Sequence, residues 1–196
     1  IFKPLWRKAL ANGFMAAAVN YPSSQKELEA HVKQFHFFLD HLEDVDTVSF
    51  VTLGAGNAIL QKLFAEEAEW QKKLKLGRAV EVVPYTYGSE LLDTLSRSKL
   101  FGFIIGPMGQ DLAADKMRKL PPLTKIETGI ILSNKFWLER LLEKVTSSKM
   151  SEHYIDEIKE DTKAAEIIEI KDHHCNIFKN DKISNAVINF LKSGKF

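Results

Sequence analysis

Apolar positions along the chain repeat in two alternating rhythms, and the places where one gives way to the other mark out its elements. Leu28, Val32, Phe35, Leu39 and Leu42 recur at helical spacing on one face, behind Ser24-Gln25-Lys26-Glu27, which has the spacing of a capping box. Val48 to Leu53 is a short apolar, β-branched run and predicts a buried strand. It breaks at Gly54-Ala55-Gly56 into a helical pattern with Ile59, Leu60, Leu63 and Phe64 on one face. The same reading gives a helical turn or two over Pro4 to Ala11, closed by Asn12-Gly13, and strands over Phe14 to Val19, Ala79 to Val83, Glu127 to Leu132 and Glu166 to Ile170. Helices are predicted from Ser89, over Lys135 to Val145 and over Ile183 to Leu191. Leu100 to Ile105 fits a strand or a buried loop, Glu66 to Lys75 is a charged connection ending at Gly77, and Ser147 to Asp161 is polar with no pattern. Strands alternating with helices argue for an α/β fold, a mostly parallel sheet with helices on both faces.

Composition narrows this picture. A chain of 196 residues with 45% hydrophobic content can bury one sizeable core, so residues 1–196 are read as a single domain. Lys and Arg number 27 against 26 Asp and Glu, a net charge of +1; no global field draws the protein to nucleic acid or to an anionic membrane, and such binding would need a local patch. No apolar run reaches the ~20 residues of a spanning helix. The single cysteine, Cys175, excludes an internal disulfide framework and leans towards a reducing compartment. A start at Ile1 and a slightly basic balance suit a chain imported into a mitochondrion, and a trimmed cytoplasmic chain almost equally.

The glycine turn after Leu53 suits two devices: a phosphate cradle on a helix N-terminus, or an elbow that lifts a nucleophile above a sheet. For the first, Gly-Ala-Gly-Asn-Ala has two of the three fingerprint glycines, and no acidic residue ends a second strand about 20 residues on. For the second, Gly54 stands where G-x-S-x-G has its serine. Ser89 reads as a helix cap more readily than as a nucleophile, because no histidine or acid stands near it in sequence. His31, His36 and His41, five apart on one helix, fan around its cylinder and read as surface or boundary residues. His153, His173, His174 and Cys175 could be drawn as a zinc set. The last three are adjacent and point in different directions along an extended segment, so neither a metal nor another cofactor is expected.

Several segments resemble the lipase and esterase branch of the α/β hydrolases. They are Gly13-Phe14 with Val19-Asn20-Tyr21-Pro22-Ser23, then Ser49-Phe50-Val51-Thr52 with the glycine turn. Gly77-Arg78, Val83-Pro84 and Gly88-Ser89-Glu90 up to Asp93 follow, then Gly106-Pro107 to Leu112, Leu120-Pro121 and Thr128-Gly129-Ile130-Ile131. The tail from Asp172 to Phe178 with Ile188 to Phe196 completes the series. The resemblance keeps motif order over nearly the whole chain and implies that fold, with the family's first oxyanion strand falling before Ile1.

Acyl transfer by that family needs a serine at the elbow, a histidine to take its proton, an acid to hold the histidine, and backbone donors for the oxyanion. Carried over by the resemblance, the serine position is Gly54, the histidine before it is Leu53, the acid position is Ser151 with Glu152 after it, and the catalytic histidine is His174. Only His174 keeps its type. Thr52 and Ser49 flank the turn without occupying its apex, and Asp156 or Asp161 could still orient His174. Three functions follow as expectations. One is an inactive hydrolase homologue serving as an accessory or structural subunit among other protein subunits. The others are an active esterase with a displaced nucleophile, and a protein that binds an acyl or lipid ligand in the old substrate pocket.

Overall fold

A computed structural model of the chain describes residues 2–19, 21–22, 25–84, 108, 111, 116, 119–135 and 163–196. Helix α1 (Lys3–Ala11) has Pro4 in its first turn and ends in Gly13 at φ +84°. Gly13 N–H donates to Leu10 O and Phe14 N–H to Ala9 O, the paired bonds of a Schellman stop, as Asn12-Gly13 predicts. Helix α2 (Leu28–Asp40) then leads to strand β1 (Thr47–Leu53), helix α3 (Gly56–Ala65), the short helix α4 (Trp70–Lys73) and strand β2 (Lys75–Val82). Strands β3 (Glu127–Lys135) and β4 (Glu166–His173), a 3-10 turn (His174–Lys179) and helix α5 (Asp181–Ser193) complete the described elements.

The four strands form one parallel sheet in the order β1-β2-β3-β4. Parallel strands are covered on both sides, and β2 shows it: Ala79 packs among Val32, Leu60, Leu63 and Trp70 from α2, α3 and α4, whereas Val80 and Val82 pack with Leu5, Ile183, Val187 and Phe190 from α1 and α5. The α/β layering expected from the alternation of elements is therefore present.

Several expectations need correction. Phe14 to Val19 forms no strand, because no described strand offers it a ladder, and Met15, Ala17 and Ala18 lie exposed. Strand β2 starts at Lys75, four residues before Ala79. Gly77 does not end the charged segment; it sits inside β2 opposite an irregularity in β1, where the hydroxyl of Ser49 fills the space a Cβ would need and accepts the Arg78 N–H at 3.1 Å. That charged segment also carries Trp70, wholly buried between the rings of Phe50 and Phe64. Helix α2 begins at Leu28 rather than behind a Ser24 cap: Glu27 occupies the N-cap without a side-chain bond, and Asp111, 83 residues away, accepts the Leu28 N–H at 3.1 Å. Ser24 itself, Ser89 and its helix, Leu100 to Ile105 and residues 136–145 lie outside the described residues; Lys135, read as the start of a helix, is the last residue of β3.

His31 is another. It is fully buried, not a surface or boundary residue, because its side of α2 faces Tyr21, 5.1 Å away between ring centroids. His36 is half-buried, accepting from Trp70 Nε1 at 2.9 Å on Nδ1, which leaves the hydrogen on Nε2 to face Glu66 at 3.2 Å. His41 is exposed, so the three histidines do fan around the helix.

Candidate active site

All four strands run the same way, so their carboxyl ends gather at one end of the sheet, where open α/β sheets carry their ligands. The turn from β1 into α3 lies there. Gly54 N–H still pairs with Val82 O of β2 at 3.0 Å; the backbone then swings to φ +56° at Gly54, and α3 opens two residues later. A left-handed backbone at that point costs an L side chain about 1–2 kcal/mol, which glycine avoids. The amides of Ala55 and Gly56 begin α3 with no partner among the described residues, so they point the positive end of a helix dipole at the sheet's edge. Val83, at the end of β2, is a β-branched residue at φ +46°, a second strained position at the same end.

Beneath the turn, towards α2 and α3, is a layer of buried polar groups. Thr52 Oγ1 donates to Asn57 Oδ1, and a Cβ on Gly56 would stand 3.3 Å from the Tyr21 hydroxyl and 3.6 Å from Thr52 Cβ. The register puts Glu81 beside Thr52. Glu81 is 1% exposed, and loss of solvation pushes its carboxyl up to about 8, so it is largely protonated at neutral pH. Burial likewise raises the Tyr21 phenol, and it lowers His31 with help from the charge of Lys26. Asn57 Nδ2, Gln61 Oε1, Glu81 Oε1 and both His31 ring nitrogens make no hydrogen bond among the described residues.

At the far edge of the sheet β4 ends at His173, paired with Lys135, and His174 opens the 3-10 turn. Gly54 and His174 thus share one end of the sheet on strands separated by β2 and β3.

Comparison with solved structures decides the fold. The chain superposes on a monoacylglycerol lipase from Paleococcus ferrophilus with a TM-score of 0.65 at 14% identity, covering 98% of this chain and 88% of that one. A hydrolase from Pseudomonas aeruginosa PA01 matches with a TM-score of 0.51 at 10% identity, over 90% of this chain and 76% of that one. The chain has the α/β-hydrolase fold. No protein-family model matches it, and no curated protein sequence does.

The apex of the turn from β1 into α3 is Gly54. The apex has no side chain. Thr52 lies two residues before it with its hydroxyl bonded to Asn57, and Ser49 is five residues before it with its hydroxyl accepting from Arg78. Ser151, Glu152, His153, Asp156 and Asp161 lie outside the described residues. A groove of about 470 Å³ among Leu123, Thr124, Lys163 and Ala165 is at the opposite, amino-terminal end of β3 and β4. Sequence reasoning passed over Glu81, Asn57 and Gln61 as site-adjacent polar groups; a lone Glu inside the apolar run Ala79 to Val83 was the one available signal.

Proposed function

We propose that this chain is a catalytically silent α/β hydrolase, kept as an accessory or structural subunit within a larger protein assembly. Gly54 carries the reading. Acyl transfer through an elbow needs an oxygen at its apex, and glycine offers none while fitting the left-handed backbone without strain. The frame is consistent with the same reading: the start of α3 and the strained Val83 lie at the carboxyl end of the strands, the end at which open α/β sheets bind ligands. In this reading residues 1–196 are one domain, Gly54, Ser151 and His174 are vestigial positions, and no metal or cofactor is needed.

A fluorophosphonate probe and a panel of short and medium acyl esters test it. The expected result is no labelled residue and no turnover that His174→Ala removes. A labelled serine or threonine would instead establish an active esterase with a displaced nucleophile.

The amides of Ala55 and Gly56, without a partner among the described residues, favour a second reading, a binding protein that holds the carboxylate or carbonyl end of an acyl chain at the start of α3. Native mass spectrometry showing a co-purified fatty acid would select it over the first.

A further inference from the structure

Three of the large apolar side chains exposed among the described residues gather at the start of the chain: Trp6 at 40%, Leu10 at 45% and Met15 at 74% exposure. Trp6 and Leu10 are one turn apart on α1, and the Trp6 Nε1–H donates to Ala16 O at 2.8 Å, which draws the segment carrying Met15 against them. Lys3 and Arg7 are exposed and alternate with Trp6 and Leu10 along one face, at positions i, i+3, i+4 and i+7. Lys8 is engaged elsewhere, with Asp181 and Asn185 at 2.8 Å each. Lys3 and Arg7 enter no ion pair among the described residues, and the first acidic residue of the chain is Glu27; the acid held against α1 is Asp181, which offsets Lys8 and leaves the charges of Lys3 and Arg7 unpaired among the described residues.

From this juxtaposition we infer that α1 and the Met15 segment dock the protein on the surface of an anionic lipid bilayer. Charge complementarity asks for an anionic partner, and the apolar groups say which kind. Trp, Leu and Met flanked by Lys and Arg are the side chains of an interfacial helix. The indole N–H is already satisfied by Ala16, so the Trp6 ring can enter the acyl boundary without leaving a donor unpaired. No amide or carboxylate side chain on the exposed face of α1 is available to read a specific protein or base. The near-neutral whole chain is no obstacle, because attraction to a charged surface acts within a Debye length and needs only the local patch.

The experiment is sedimentation of the protein with vesicles of phosphatidylcholine alone and of phosphatidylcholine mixed with phosphatidylglycerol, at low and high salt. Binding is expected to the mixed vesicles only and to fall as salt rises, with a blue shift of tryptophan emission that Trp6→Phe removes. Each cation lost should weaken partitioning roughly fivefold, so the double variant Lys3→Gln, Arg7→Gln should bind at least about 25-fold more weakly. The triple variant Trp6→Ser, Leu10→Ser, Met15→Ser should lose binding too, with a melting temperature close to the parent's because these side chains are exposed. No binding to mixed vesicles overturns the inference. So does binding that survives the triple serine variant, or equal binding to a single-stranded polyanion such as polyuridylate, since either would mark a plain anion surface.

Discussion

At the scale of single residues, two positions concentrate the chemistry. Gly54→Ser would place a hydroxyl at the apex of the turn from β1 into α3, at a cost of about 1–2 kcal/mol for placing a Cβ at φ +56°. If the acid position has been lost along with the nucleophile, this variant should melt lower than the parent and remain unlabelled by a fluorophosphonate; labelling would mean that the rest of the machinery survives. Glu81 makes a second prediction. Its carboxyl binds a proton in the folded state up to about pH 8 but only up to the ordinary carboxylate range when unfolded, so the folded state holds more protons between those limits. Stability is therefore full at low pH and falls as pH rises from the ordinary range through about 8. Glu81→Gln should flatten that decline, leaving the melting temperature little changed at pH 5 and raising it at pH 9, as a calorimetric pH series would register. A decline as steep in the variant would show that Glu81 is not the group responsible.

At the scale of elements, glycine and aromatic positions decide how strands and helices meet. In β2 a Cβ at Gly77 would fall on Ser49 Oγ, so Gly77→Ala should cost about 1–3 kcal/mol. Combined with Ser49→Ala, which clears the nearest atom, the double variant should cost less than the sum of the two single variants in a double-mutant cycle by denaturant unfolding. Trp70 joins α4 to the α2 and α3 layer through Phe50 and Phe64, and it ties to α2 through its Nε1 bond to His36 and its backbone N–H to Asp40 at 2.8 Å. Trp70→Ala should cost about 3–5 kcal/mol, the range for emptying a buried aromatic site. Sequence spacing located α1, α3 and α5 well because each has an apolar stripe or a glycine stop of its own. It misplaced the starts of α2 and β2, because those are set by Asp111 and by Ser49, partners brought in by the fold.

At the scale of the molecule, the carboxyl end closes the amino edge of the sheet. Arg78 of β2 pairs with Glu127 of β3 and donates to Leu191 O at 3.2 Å and Lys192 O at 3.0 Å, capping α5 beside Gly194 at φ +77°. Phe196 stacks on Phe190 at 4.7 Å, and its N–H donates to Glu166. Both rings lie where a Cβ on Gly129 would stand, 2.7 Å away, so the tail packs flush on β3. Removing Lys195 and Phe196 should lower the melting temperature and expose Gly129 and Glu127 to faster amide exchange, with the Gly54 turn at the opposite end unaffected; exchange changes spread evenly over the sheet would refute a local latch.

What the residues alone settled is the class of fold, the place of the strand-glycine-helix turn and the want of a hydroxyl at its apex. Hydrophobic period, glycine and residue type are local properties, and a parallel sheet written in apolar runs announces itself. Only the folded chain decided that His31 is interior, that Phe14 to Val19 finds no ladder among the described strands, that Glu81 lies buried beside Thr52, and that a tryptophan in a charged segment is core. Each of those depends on what stands opposite a side chain. Two faces of one strand or helix differ in their neighbours and not in their own spacing, so a charge in an apolar run cannot be told from an error of register until the layer above it is in place.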